Sequence, residues 1–168
     1  VTTTGAITAK TITFGSVSRA YDGTTDLTGD VTITTGVGSQ TLTYTGATAS
    51  SSHVATSNKY ISAITLADAT DGSGGLASNY QLPTLNYSNA PVTITAKTLT
   101  PSITNSGYSQ VYDSDTAADI TPTYSFSGLV SGDTDATLSF TAATYDDEDV
   151  ADASSITVSG LSISSITG

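Results

Sequence analysis

The heptad ITAKTIT at residues 7–13 returns as ITAKTLT at residues 94–100, with six of seven positions identical and 87 residues between the copies. Repetition at that spacing sets the architecture before any motif is read, because each copy must fold as a similar unit. A second landmark follows each heptad: Tyr21-Asp22-Gly23-Thr24-Thr25 after the first and Tyr112-Asp113-Ser114-Asp115-Thr116 after the second. The spacing predicts a complete module over residues 11–97 and a second, C-terminally incomplete one over 98–168. Residues 1–10 read as the closing strand of a preceding module, since Gly5–Lys10 matches the segment before Lys97. Ile156-Thr157-Val158 aligns with Ile64-Thr65-Leu66, and nothing after it answers to Asn79-Tyr80-Gln81-Leu82 or to Val92–Lys97.

Serine and threonine supply 59 of the 168 residues. Threonine is β-branched and suits a pleated, half-exposed surface, so this composition favours strands with solvated faces. Period-2 alternation marks strands at Thr11–Phe14, Val31–Thr34, Thr41–Tyr44, Tyr60–Leu66, Tyr80–Leu82 and Val92–Thr100. In the second module the same reading gives Thr121–Phe126, Thr137–Phe140, Ile156–Val158 and Leu161–Ile163. Asp22-Gly23, Asp71-Gly72, Gly74-Gly75 and Ser131-Gly132-Asp133 punctuate them as turns. The expected fold is all-β: tandem immunoglobulin-like, Greek-key β-sandwich modules in an elongated array. At the junction, Val92, Ile94 and Ala96 share one face while Leu99 falls on the other. That parity flip predicts one strand serving two cores across a stiff joint.

Four Lys and Arg against fifteen Asp and Glu give a formal charge of −11 and a pI near 4.1. Phosphate binding needs clustered cations, so nucleic acid is an unsuitable partner, as is an anionic membrane surface. No apolar run reaches the length of a membrane span, and no leader pattern is present. Cysteine is absent, which excludes disulfides and thiolate metal sites.

In order, Ala-Lys-Thr-Ile/Leu-Thr, Tyr21-Asp22-Gly23-Thr24-Thr25, Ala77-Ser78-Asn79-Tyr80-Gln81-Leu82 and Val92-Thr93-Ile94-Thr95-Ala96-Lys97 resemble the YDG-type repeat of large bacterial surface adhesins and haemagglutinin-like proteins. The resemblance implies extracellular, immunoglobulin-like stalk modules without catalysis, flanked by further copies of themselves. Ser114 departs from it by standing at the glycine position.

Read from the residues, Tyr21-Asp22-Gly23 is a ring anchoring a turn, in which Asp caps backbone amides and Gly takes a positive φ. Tyr112-Asp113 and Asn79-Tyr80 are its companions as structural motifs. Two acidic groups are the candidate calcium ligands: Asp113, Asp115 and Asp119, and Asp146, Asp147, Asp149 and Asp152. Calcium takes six to eight hard oxygens, but no Asp-x-Asp-x-Asp-Gly loop with a later Glu is present, and a solvated acidic loop is the plainer reading. The lone His53 lies in a serine-rich run with no triad pattern, so no enzyme is expected. An isopeptide bond from Lys10, Lys59 or Lys97 to Asn79 would need a buried lysine, and Lys10 and Lys97 fall on polar strand parity. Thr-x-Thr pairs could present hydroxyls to ice, but their spacing is irregular. The sequence therefore points to stalk or spacer repeats on a bacterial surface. The alternative is a module recognising glycan, a partner surface or ice through its loops or Thr-rich faces. The ends suggest pairing with neighbouring copies, in cis or head-to-tail by strand addition.

Overall fold

The computed structural model describes residues 2–167; the chain divides into two compact units with the boundary between Lys97 and Thr98. Every regular element among them is a strand except one 3-10 turn at Ala77–Asn79. The chain is all-β, and no helix of the described residues is long and apolar enough to cross a membrane.

The first unit contains β1 (Lys10–Thr11), β2 (Thr13–Phe14), β3 (Val17–Ala20), β4 (Ile33–Thr34), β5 (Thr43–Ala49), β6 (Ile61–Ala67), β7 (Tyr80–Gln81) and β8 (Val92–Thr95). β5 and β6 form an antiparallel hairpin, and β2 pairs antiparallel with β4. The other two ladders are parallel: β1 with β7, and β3 with β8 in the register Val17↔Val92 to Ala20↔Thr95. Hydrogen bonds outside these ladders extend one sheet. Leu27 N–H donates to Ala47 O and Ala49 N–H to Thr25 O on one side of the hairpin. On the other, Ile61 N–H donates to Ala90 O and Val92 N–H to Lys59 O. The order is thus the 25–27 segment, β5, β6, β8, β3.

Alternation explains the core. Val92 and Ile94 are buried while Thr93 and Thr95 are exposed, and Val17 opposes Val92 on the same face. They join Leu27, Val31, Ala47, Ala49, Ile61, Ile64 and Ala90, with Phe14, Tyr21, Ile33, Tyr44, Leu82 and Leu85 packed at the margin. The Tyr44 hydroxyl closes the 27–31 turn, accepting from Gly29 N–H at 2.8 Å and Val31 N–H at 3.0 Å and donating to Leu27 O.

Several expectations need correction. The strand expected to run from Val92 to Thr100 stops at Thr95 and resumes at Thr100. Its partner β3 turns away at Tyr21, whose N–H makes the last bond to Thr95 O, so residues 96–99 have no ladder to join. Ala96, placed with Val92 and Ile94 by parity, is exposed. Lys10, read as the end of an earlier module, pairs with Tyr80. Lys59 is the buried lysine, and its ammonium is spent on the carbonyls of Val54 and Thr56, while Asn79 is exposed. The geometry offers no isopeptide pair.

The second unit contains β9 (Thr100–Ile103), β10 (Tyr124–Ser127), β11 (Asp135–Ser139), β12 (Ala142–Tyr145), β13 (Ile156–Ser159) and β14 (Ser162–Thr167). Its ladders are antiparallel: β9 with β10, β11 with β14, and β12 with β13. Its buried apolar residues are few, namely Val130, Ala136 and Ala143, whereas Ile103, Val111, Ile163 and Ile166 are exposed.

The repeat is visible in hydrogen bonds. Asp26 bridges Thr48 in the first unit as Ala117 bridges Thr144 in the second. Leu27 N–H to Ala47 O and Ala49 N–H to Thr25 O have their counterparts in Ala118 N–H to Ala143 O and Tyr145 N–H to Thr116 O. The turn after each hairpin strand also matches, with Ser50 N–H on Tyr60 O and Asp146 N–H on Ser155 O. Ile156 therefore occupies the place of Ile61, three residues from the Ile64 that the sequence pairs it with.

Candidate functional site

Asp22 is the hub of the first landmark turn. Its Oδ1 accepts from Thr24 N–H at 2.9 Å, from the Thr24 hydroxyl at 3.0 Å and from Arg19 Nη2 at 2.7 Å. Arg19 also donates to Thr24 O, and its second nitrogen lies 3.8 Å from Asp30. Burial opposes ionisation of Asp22, but the Thr24 backbone and hydroxyl and the Arg19 guanidinium together hold its carboxyl below the usual range. Gly23 sits at φ 84, the left-handed region an L residue enters at a cost. Tyr21 is half-buried against the core. The Asp22 carboxylate is thus satisfied within the turn, while Arg19 Nε is buried without a hydrogen-bond partner.

The second copy is looser. The Asp113 carboxylate accepts from Asp115 N–H alone, at 3.1 Å, and its backbone oxygen from the Ser114 hydroxyl. Gln110 replaces Arg19 and reaches elsewhere, donating to Ala117 O and accepting from Asp119 N–H. Tyr112 is 56% exposed. Ser114 takes the glycine's place at φ 63. A left-handed L residue costs roughly 1–2 kcal/mol, so Ser114→Gly is expected to stabilise the second unit by about 0.5–1 kcal/mol once glycine's added backbone entropy is subtracted. Gly23→Ala should destabilise the first unit by about 1 kcal/mol. Chemical denaturation of both variants checks this, and an unchanged midpoint for Ser114→Gly would remove the strain argument.

Of the companion motif, Tyr80 is buried with its hydroxyl donating to Gln40 Oε1, while Asn79 ends the 3-10 turn and points to solvent.

The candidate metal ligands are distributed as follows. Asp146 accepts from the N–H and hydroxyl of Ser154 and the N–H and hydroxyl of Ser155, at 2.6 to 3.0 Å. The Ser154 hydroxyl first, then the two backbone amides, hold its carboxyl far below the ordinary range. Asp147 caps Asp149 N–H, and Asp149 O accepts from Asp152 and Ala153 in a single helical turn. Asp119 O accepts from the Tyr108 hydroxyl. Burial, then the charges of Asp119 and Tyr145, push that phenol's pKa up. Asp113, Asp115 and Asp147 face one cavity of about 200 Å³ with Glu148 and the rings of Tyr108, Tyr112 and Tyr145. Among the described residues no group of three or more His, Cys, Asp or Glu is close enough to hold a metal ion. The structure thus uses the carboxylates of Asp113, Asp115, Asp146 and Asp147 as turn caps and does not bring Asp113, Asp115, Asp119, Asp146, Asp147, Asp149 and Asp152 into one coordination sphere.

Many threonine hydroxyls are likewise engaged within the fold: Thr41 with Asp71 and Ser73, Thr43 with Asp68 O, Thr95 with Arg19 O. They do not form a free array. His53 is exposed, its N–H held by Ser51.

A YDG domain is found at residues 95–168. The YDG domain takes in the end of β8 and the whole of the second unit. The Tyr21-Asp22-Gly23 tripeptide lies in the first unit, outside that range, in the equivalent turn. No curated protein and no solved structure matches the chain.

A feature that the sequence reading missed is a second cavity of the YDG domain, about 410 Å³. One wall is Ser106 to Tyr108 and the other Ala153 to Ile156. Its signal was present in the alignment of Val17-Ser18-Arg19-Ala20 with Tyr108-Ser109-Gln110-Val111, four residues before each landmark. β3 carries no local strand pattern, and neither does its copy at 108–111.

Proposed function

We propose that this chain is a pair of structural modules from an extracellular, adhesin-type stalk, built as immunoglobulin-like sandwiches in series, that bears tension and performs no catalysis. One observation carries the reading: the parallel pairing of β3 with β8 in the first unit. These strands lie near the two ends of that unit and run in the same direction. Tension applied to the ends therefore drags them past each other along their axes. Val17 N–H to Pro91 O, Tyr21 N–H to Thr95 O and the ladder bonds between them are then loaded together, and none can be peeled alone. The parallel β1–β7 ladder adds a second pair in the same sense. Forced unfolding is set by the barrier to opening, so simultaneous loading lengthens the life of the unit under tension.

A glycan-binding module is the second reading, favoured by the three tyrosine rings around the smaller cavity. Spacer modules in series and a compact binding domain scatter X-rays differently. A compact 168-residue globule has a radius of gyration of about 15 Å, whereas two units end to end give about 20 Å. Dilute-solution scattering near 20 Å is the expected result. A value near 15 Å would overturn the serial arrangement.

A further inference from the structure

We propose that the smaller cavity of the YDG domain binds a guanidinium group from outside the domain, at the place where the first unit holds the guanidinium of its own Arg19. This goes beyond the stalk reading and does not depend on it.

The internal repeat supplies the comparison. In the first unit the landmark turn closes around a cation. Arg19 Nη2 donates to Asp22 Oδ1 at 2.7 Å and to Thr24 O at 2.6 Å, and Nη1 lies 3.8 Å from Asp30. In the second unit Asp113 stands where Asp22 stands, Asp115 where Thr24 stands and Gln110 where Arg19 stands. The turn thus keeps its carboxylate, gains another and loses the cation. No cation of the same unit replaces it, because residues 98–168 hold ten Asp and Glu and no Lys, Arg or His. The Gln110 side chain is spent on Ala117 O and Asp119 N–H. Asp113 and Asp115 each cap one amide through Oδ1. Among the described residues no hydrogen bond reaches the Oδ2 of either, or the carboxylate of Glu148 across the cavity.

Gln110, Asp113 and Asp115 line the cavity of about 200 Å³. A water molecule needs only about 10–15 Å³ of such space, so a group of several heavy atoms fits. Val111, Val150 and Tyr112 are the most exposed large apolar side chains of the second unit, at 87%, 80% and 56%, and all three line this one cavity. Apolar surface gathered in this way marks a place that a ligand covers. Tyr108, Tyr112 and Tyr145 give it aromatic walls, whose faces attract cations. Among the described residues no three acidic groups converge closely enough to hold a metal ion. A guanidinium suits that wider spacing. It is planar and weakly hydrated, stacks on aromatic faces and offers donors to two carboxylates at once. A lysine ammonium is a compact, strongly hydrated charge and matches the site less well.

The test is an NMR titration of the full chain with a capped glycine-arginine-glycine peptide, ethylguanidinium, the same peptide with lysine for arginine, and methyl glucoside. Both guanidinium probes should bind, with shifts confined to residues 108–115 and 145–153, and several-fold more tightly than the lysine peptide. Binding should weaken as salt is raised. Tighter binding of the arginine peptide assigns the guanidinium to a protein partner, and equal or tighter binding of ethylguanidinium assigns it to a free small cation. Asp113→Asn can still cap Asp115 N–H but loses the charge, and should weaken binding about tenfold. Gln110→Arg restores the first unit's residue, supplies the guanidinium in cis and should exclude the probes by about tenfold or more. No binding of either guanidinium probe at millimolar concentration, shifts outside these segments, binding that either substitution leaves undiminished, or glucoside binding in place of guanidinium would overturn the proposal. The radius of gyration of the free chain enters none of these results, so failure here leaves the stalk reading standing.

Discussion

Leu27→Ala should lower the stability of the first unit by about 3–4 kcal/mol and leave the second unchanged. Leu27 is fully buried and packed among Val17, Ala47 and Ile61. Truncating such a leucine loses its transfer free energy and leaves a cavity that β5 and β6 cannot close, because their hairpin is fixed by its own ladder. Small domains hold only about 5–15 kcal/mol in total, so the loss is a large share. The equivalent position of the YDG domain is Ala118, half-buried, and its core is correspondingly thin. Wild-type chain should therefore show two calorimetric transitions, the lower belonging to the second unit. Leu27→Ala should pull the upper transition down without moving the lower. A single transition displaced as a whole would mean that the units do not unfold separately.

The second large effect is electrostatic and falls on the other unit. Asp146 gathers four donors from Ser154 and Ser155 and closes the β12–β13 hairpin. Its carboxyl is held far below the range it has in the unfolded chain. A depressed carboxyl contributes stability that is present above its unfolded pKa, near 4, and lost as pH falls toward its folded value. Asp71 in the first unit, held at about 2 by the Thr41 hydroxyl and then Ser73, follows the same rule. Asp146→Asn keeps the shape and can accept from the two amides, but its NH2 group cannot accept from the hydroxyls. The variant should lower the melting temperature of the second unit by several degrees at pH 7, and the difference from wild type should shrink steadily between pH 4 and pH 2. Relief of the −11 charge acts on both proteins and cancels in that difference. A difference that stayed constant down to pH 2 would show that the contribution of Asp146 does not depend on its ionisation.

The heptad and landmark repeat made the all-β class and most hairpin strands legible, because β-branched alternation is a local property. β6, β8 and β13 fall where Ile and Val alternate with Thr and Ser. β3 escaped notice because Val17-Ser18-Arg19-Ala20 carries one large apolar residue and a charge. Its strand character comes from β8, 75 residues later, and no local pattern reports a partner that distant. The parallel direction of that pair is equally silent in the residues. Parity correctly assigned Val92 and Ile94 inward, yet it also predicted a continuous strand through Lys97, because alternation persists where the hydrogen-bonding partner has already turned away. The acidic run 146–152 illustrates the opposite limit. Composition cannot distinguish oxygens arranged around a cation from oxygens arranged around backbone donors; in the structure the Asp146 oxygens accept from the amides and hydroxyls of Ser154 and Ser155.

The most direct measurement is single-molecule extension of the first unit along two directions. Pulled between residues 10 and 97, β3 and β8 should resist in shear and then yield about 250 Å of chain, set by the residues between Val17 and Thr95. Pulled between Ser16 and Asn89, which precede the two strands on the same side, the ladder should open one bond at a time. The account predicts a rupture force several-fold higher in the first direction. Equal forces, or a weaker response end to end, would contradict a load-bearing module.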